Sequence, residues 1–293
     1  MRGCGRCPRC DVRPRNKKKL GVREYPFGEY AVPRRRVRLI DLLKTLYPAR
    51  DEKELFAEIL RGEVLVGGEK VVKAGTPVRA DAEISIREKP PYVSRGGEKL
   101  AAGLDLWGIA CEGKTWIDAG CSTGGFTDCL LRRGASLVYA IDVGENQLDW
   151  RLRADPRVRV MESTNVMAVR AEELDPVPDS AVADLSFRSI RQAASRILGL
   201  TTERRGIFLV KPQFEFAHPP RDFKGVVQGQ DALGDILTDL VAGLGDEGVA
   251  VEDGIESPLR GRKGNREFLF LLRLGKAQGG ADRDALLGKL LLE

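Results

Sequence analysis

The run Trp116-Ile117-Asp118-Ala119-Gly120-Cys121-Ser122-Thr123-Gly124-Gly125-Phe126-Thr127-Asp128 constrains this chain more than any other stretch. It reads as a short apolar strand, a turn of small residues, and the start of a helix that continues through Cys129-Leu130-Leu131. Small residues in the turn leave the main chain open to a ligand, because no bulky side chain covers it. The free amides at the helix start then face whatever lies there. Further on, Leu137-Val138-Tyr139-Ala140-Ile141-Asp142 is a second apolar strand ending in a carboxylate. A glycine-rich turn after one strand and an acid at the end of the next is how doubly wound sheets hold a nucleoside by its ribose hydroxyls.

The dinucleotide fingerprint requires G-x-G-x-x-G with a pyrophosphate on the helix amides. Here the pattern is Asp118-x-Gly120-x-x-x-Gly124-Gly125, with an acid ahead of the first glycine. A carboxylate there repels a pyrophosphate and suits the cationic aminopropyl end of S-adenosylmethionine, which is the expected ligand.

At 293 residues the chain exceeds one ordinary domain, so a large and a small domain are expected. No apolar run approaches the roughly 20 residues that span a bilayer. The basic start lacks an apolar segment of the secretory kind, so a cytoplasmic protein is expected. Residues 1–36 carry 12 basic and 3 acidic side chains, 37–93 carry 10 of each, and 94–293 carry 26 basic and 30 acidic. The surplus behind the net charge of +5 therefore lies in the first 36 residues, a Gly/Pro-rich, aperiodic extension expected to be disordered and suited to tethering a nucleic acid. Its triplet Cys4, Cys7, Cys10 lacks a nearby fourth ligand for structural zinc, and no metal site is expected. The single histidine, His218, sits beside Pro219 and Pro220 and is a poor basis for a Ser-His-Asp mechanism.

From Val37 a small unit is legible. Leu39, Leu42, Leu43 and Leu46 form one helical face; a second helix over 51–60 turns Leu55, Ile59 and Leu60 inward; strands flank Gly67-Gly68, and Ala82–Ile86 closes a small sheet. Lys89-Pro90-Pro91-Tyr92 marks the boundary, with a linker over 90–93. A helix with Leu100, Leu104 and Trp107 on one side follows. Strands are then expected near 115–119, 137–142, 157–161, 181–184, 206–210, 248–252 and 267–273, with a helix at about 230–244. The fold class is thus α/β: a mainly parallel Rossmann-like sheet over 94–276 with an antiparallel last strand, an α+β unit over 37–89, and a C-terminal helix or tail over 277–293.

Candidate chemistry lies at strand ends, where the crevice of such a sheet opens. Asp184 and Lys211 end two strands, Glu267 begins the last, and Lys99 lies on the lead-in helix. Methylating a hydroxyl requires loss of its proton. A neutral lysine can accept it, its basicity lowered by burial and a second lysine and raised by a carboxylate. Two lysines and two acids read equally as two ion pairs; their shared position at the crevice favours a proton relay.

Ser94-Arg95-Gly96-Gly97-x-Lys99-Leu100, the Asp118–Thr127 turn, Ala183-Asp184-Leu185-Ser186-Phe187 and Lys211-Pro212-Gln213-Phe214-Glu215 resemble the TlyA (haemolysin A-like) ribosomal RNA methyltransferases over about residues 37–275. The resemblance implies S-adenosylmethionine-dependent methylation of cytidine 2′-hydroxyls in ribosomal RNA, by an FtsJ-like domain joined to an alpha-L RNA-binding domain. The family's catalytic tetrad falls on Lys99, Asp184, Lys211 and Glu267, with Lys211 nearest the 2′-oxygen. Cofactor contacts carry over to Asp118, Gly120, Ser122, Gly124 and Phe126, and to Asp142 at the ribose. The alpha-L likeness implies docking on ribosomal RNA or subunits through Arg38, Arg50, Lys53 and Arg61, with Arg95 added from the second domain. The sequence departs from the pattern in its cysteine-bearing extension, in Ala49-Arg50 where the family has Ser-Arg, and in Glu145-Asn146 where it has Tyr-Gly. The alternatives are a catalytically inert ribosome-binding module and a membrane-active haemolysin. For the latter, no membrane-length or strongly amphipathic cationic helix stands out in the sequence.

Overall fold

A computed structural model describes residues 35–87, 91–186, 188–275 and 283–291. The cysteine triplet, most of the basic extension, Phe187 and part of the expected linker lie outside the described residues. The chain divides into two compact units at residue 88.

The first unit comprises β1 (Arg36–Arg38), α1 (Leu39–Leu46), α2 (Glu52–Arg61), β2 (Val64–Val66), β3 (Glu69–Lys70), β4 (Pro77–Arg79) and β5 (Ile84–Ile86). Strands β1 and β4 pair antiparallel, and β3, β2 and β5 form a three-stranded antiparallel sheet. Leu39, Leu43, Leu55, Ile59 and Val64 are fully buried between helices and strands. Two inward assignments fail. Leu60 is 58% exposed, because the buried line of α2 runs through Leu55, Glu58 and Ile59, and the next residue is rotated off it. Leu46, the last residue of α1, is also largely exposed.

The second unit holds α3 (Arg95–Leu106), β6 (Thr115–Ala119), α4 (Gly125–Arg132), β7 (Leu137–Ile141), α5 (Trp150–Arg153), β8 (Val158–Met161), β9 (Ser180–Ala183), α6 (Ala193–Gly199), β10 (Arg205–Val210), α7 (Pro212–Glu215), α8 (Gln230–Asp246), β11 (Val249–Glu256), β12 (Phe268–Leu274) and α9 (Arg283–Leu291). Its seven strands run in the order β11-β12-β10-β9-β6-β7-β8. All the pairings from β8 to β10 are parallel, and β12 runs antiparallel to both its neighbours. Alternate residues of the buried strands feed two cores. Trp116 faces the α3–α4–α5 side with Leu100, Leu104 and Leu130; Ile117 and Ala119 face the α6–α8–α9 side with Ile197, Leu237 and Leu240. The last helix is part of this body, since Leu286, Leu287 and Leu290 are buried in that second core.

The strand order reverses between β6 and β9, so the crevice opens beyond their carboxyl ends. Gly120, Asp142, Asp184 and Lys211 are each the first residue past β6, β7, β9 and β10. Because β12 is antiparallel, its amino end lies at that same edge. The register pairs Val210 with Phe268, which sets Glu267 level with Lys211.

Candidate active site

The crevice is a cleft of about 1030 Å³, lined by residues of α3, the β6–α4 turn and the loops after β7, β9, β10 and β11. Its floor is the turn after β6. Gly120 has φ of 80°, and a Cβ there would stand 2.5 Å from the Asp184 carbonyl oxygen, so only glycine allows the two loops to meet. Ser122 follows at φ 47°, donating its amide to Asp142 Oδ2 at 2.8 Å; the Gly144 amide donates to Asp142 Oδ1 at 2.8 Å. Asp142 is thus fixed beside the turn and lines the cleft.

The Ser-Arg-Gly-Gly and Gly-Gly-Phe motifs meet as a helix contact. A Cβ on Gly125 would lie 2.2 Å from Ser94 Oγ and 3.0 Å from the Gly97 nitrogen, so α3 and α4 touch nearly backbone to backbone. Ser94 caps α3, and the Val93 amide donates to the buried Asp128 carboxylate of α4 at 2.9 Å. This close approach seats Lys99 in the cleft. Its Nζ donates to Glu267 Oε2, and both side chains are buried. Lys211 Nζ stands 2.5 Å from Asp184 Oδ1, an ion contact, and donates to Ser186 Oγ at 3.0 Å. The tetrad is therefore two cation–carboxylate pairs at one sheet edge. Beside it lie the Phe214 ring, with its centroid 5.9 Å from Lys211 Nζ, and Gln213, whose buried Oε1 has no partner among the described residues.

Of the expected cofactor residues, Gly120, Ser122, Phe126 and Asp142 line the cleft, whereas Asp118 and Gly124 do not. Gly124 instead faces Leu148 and Leu152. Asp118 is fully buried beneath the turn. Thr127 Oγ1 donates to its Oδ2 at 2.6 Å, while its Oδ1 has no partner. Burial pushes its carboxyl up to about 7; Thr127 opposes the shift, and the charges of Asp184 and Asp142 add to it. A buried, half-satisfied carboxylate under a glycine cradle, with a second acid at the ribose position, fits an adenosyl ligand bearing a cationic tail and fits a pyrophosphate poorly.

Sequence reasoning overlooked Glu162. Its carboxylate accepts the amides of Asn146 (3.0 Å), Gln147 (3.1 Å) and Leu148 (3.3 Å) and pairs with Arg153 at 2.7 Å. Arg153 and these amides hold its carboxyl down at about 2. Glu162 thereby orders the loop after Asp142 at the point where Glu145-Asn146 depart from the family pattern. Asn265 was overlooked too. It is buried, accepts the Val227 amide at 3.0 Å and donates to the Gly225 carbonyl at 2.8 Å, joining two cleft loops. Both residues sit far in sequence from what they hold.

The expected RNA contacts of the first unit are mostly engaged with acids. Arg38 pairs with Asp41, Arg50 with Glu54 and Glu58, and Arg61 with Glu63; the Lys53 ammonium makes no ion pair among the described residues. Arg95 is exposed at the cleft rim. Among the described residues no group of His, Cys, Asp and Glu could hold a metal ion, and no helix is long and apolar enough to cross a membrane.

Comparison with known proteins agrees with this geometry. Residues 92–274 match the FtsJ-like methyltransferase family. The chain is 38% identical over 213 residues to Hemolysin A of Brachyspira hyodysenteriae, covering 72% of this chain and 89% of that one. It is 37% identical over 231 residues to the 16S/23S rRNA (cytidine-2′-O)-methyltransferase TlyA of Mycobacterium tuberculosis, covering 77% of this chain and 85% of that one. A solved hemolysin-named protein from Streptococcus thermophilus superposes with a TM-score of 0.63 at 32% identity, covering 86% of this chain and 94% of that one. The chain belongs to the FtsJ-like methyltransferases, in the group that includes the TlyA and hemolysin A proteins.

Proposed function

We propose that this protein methylates cytidine 2′-hydroxyls of ribosomal RNA within ribosomal subunits in the cytoplasm. The observation that carries the reading is the register of β10 and β12, which brings the pairs Lys211–Asp184 and Lys99–Glu267 to one edge beside the glycine cradle. S-adenosylmethionine bound in the cleft supplies an electrophilic methyl group. Gly120, Ser122 and Phe126 hold the adenosyl ligand, and Asp142 takes its ribose. In its neutral form Lys211 contacts the 2′-oxygen through Nζ and takes up the hydroxyl proton as the methyl group passes from sulfur to oxygen, leaving S-adenosylhomocysteine. Asp184 fixes that nitrogen, and the buried Lys99–Glu267 pair keeps a second positive group near the developing oxyanion. Residues 94–276 carry this chemistry, while the unit over 37–89 docks on folded RNA by shape.

The test is methyl incorporation. Purified protein with radiolabelled S-adenosylmethionine is expected to label ribosomal RNA at cytidine 2′-oxygens, mapped by resistance to alkaline hydrolysis. Absence of label in RNA, or label on bases alone, rejects the reading.

A further inference from the structure

Six cationic and three anionic residues line the cleft. The anions are all engaged: Glu267 by Lys99, Asp184 by Lys211, and Asp142 by two backbone amides. That leaves Arg95, Arg188, Arg262 and Lys263. All four are exposed, and among the described residues none has a carboxylate within ion-pair distance. They come from three segments, the start of α3, the loop after β9 and the loop between β11 and β12, so no local sequence run betrays the cluster. Several arginines elsewhere among the described residues are instead neutralised. Arg79 pairs with Asp81 at 2.5 Å, Arg151 with Asp149 at 2.9 Å and Arg157 with Asp155 at 2.8 Å, as Arg38, Arg50 and Arg61 pair with their own acids.

Resting on the RNA reading above, we propose that Arg95, Arg188, Arg262 and Lys263 form a phosphate grip around the mouth of the cleft, and that this rim holds the RNA backbone on either side of the target nucleotide. An unpaired guanidinium meets a phosphate without first giving up a carboxylate, and its fork matches two phosphate oxygens. The paired arginines must exchange one anion for another, which releases little free energy. The geometry also suits the chemistry: a nucleotide whose 2′-oxygen reaches Lys211 Nζ has its flanking phosphates at the mouth of the same cleft. Each phosphate so neutralised releases condensed counterions, and single-stranded RNA then binds with a log–log salt slope of about −0.7 per contact.

The experiment compares full-length wild type, R188Q/R262Q/K263Q and the matched control R151Q/R157Q/R170Q, which removes equal charge from ion-paired surface sites of the second unit. Affinity for poly(C) is measured across a salt series, and affinity for S-adenosylhomocysteine is measured alongside as a readout of the intact site. The rim variant is expected to bind poly(C) with a slope shallower by about 2, while its S-adenosylhomocysteine affinity matches wild type. The control is expected to keep the wild-type slope. A rim variant with the wild-type slope overturns the grip, as does an equal loss in the control, which would reduce the effect to overall charge. A fall in S-adenosylhomocysteine affinity in the rim variant also overturns it, since the cations would then be holding the cofactor's carboxylate. Failure of wild type to bind or methylate any RNA instead rejects the function on which the grip rests.

Discussion

Lys211 is where a single side chain decides between transfer and mere binding. Its ammonium is 2.5 Å from Asp184 and bonds to Ser186 Oγ, and among the described residues no hydrogen bond ties it to the Gly120–Gly125 turn, where the adenosyl ligand is proposed to sit. Lys211→Ala is therefore expected to abolish methyl incorporation, a loss of at least about 100-fold for a positioned proton acceptor, while calorimetry with S-adenosylhomocysteine shows unchanged affinity. Asp118 makes the opposite kind of prediction. Its folded carboxyl titrates near 7, above its unfolded value, so the folded state binds the extra proton. Stability of the ligand-free protein should then fall as pH rises from about 4 to about 7, and be constant in this contribution outside that window. Asp118→Asn keeps an acceptor for Thr127 and removes the titration. Its melting temperature should exceed that of wild type at pH above 7, and the gap should close toward pH 4. A gap independent of pH would place the proton elsewhere. The meeting of Lys99, Asp184, Lys211 and Glu267 at one edge was legible in the sequence because each lies next to a strand end or in the Ser94–Leu100 run. Glu162 and Asn265 were not, because their function is to accept amides and bridge loops that only the fold brings near them.

At the scale of elements, the strands of the sheet were legible to within a few residues because most are buried apolar runs, while β11 runs on through half-buried Glu252 and Asp253 to Glu256, beyond the expected end at 252. Strands β1 and β4 escaped notice: three residues each, rich in arginine and proline, they owe their pairing to the helix packed beside them. The Ser94–Lys99 motif was read as chemistry, and much of it is packing. The contact of α3 with α4 through Gly97 and Gly125 is what carries Lys99 to Glu267. Gly125→Ala should push the helices apart, lowering stability by about 1–3 kcal/mol in urea titration and reducing transfer with it. Ser94→Gly in the same chain removes the closest clash at 2.2 Å but leaves the Gly97 nitrogen at 3.0 Å. The double variant should recover stability only in part. Full recovery would mean that the side chain, and not the backbone approach, sets the spacing.

For the whole molecule the governing fact is that the two units keep separate cores. Every residue of the first unit's cluster, from Val37 to Ile86, belongs to that unit, and the two clusters flanking the large sheet draw on residues 92–291 alone. A ligand that binds only the second unit stabilises only that unit directly, because linkage acts on the equilibrium between bound and unfolded forms of the part that binds. S-adenosylhomocysteine at about 100 times its dissociation constant should stabilise the second unit by about 2.7 kcal/mol. In a body of this size that corresponds to about 5–10 °C in its melting temperature. Native-state hydrogen exchange resolves where the gain falls. Amides of β6, β7 and α4, which border the cleft, should gain protection, while those of α1 and α2 around Leu43 and Leu55 should not. Equal protection in α1 and α2 would show that the small unit unfolds with the large one as a single cooperative body. RNA docking and methyl transfer would then be energetically coupled within the free protein, and mutations in the first unit would be felt at Lys211 through stability as well as through RNA.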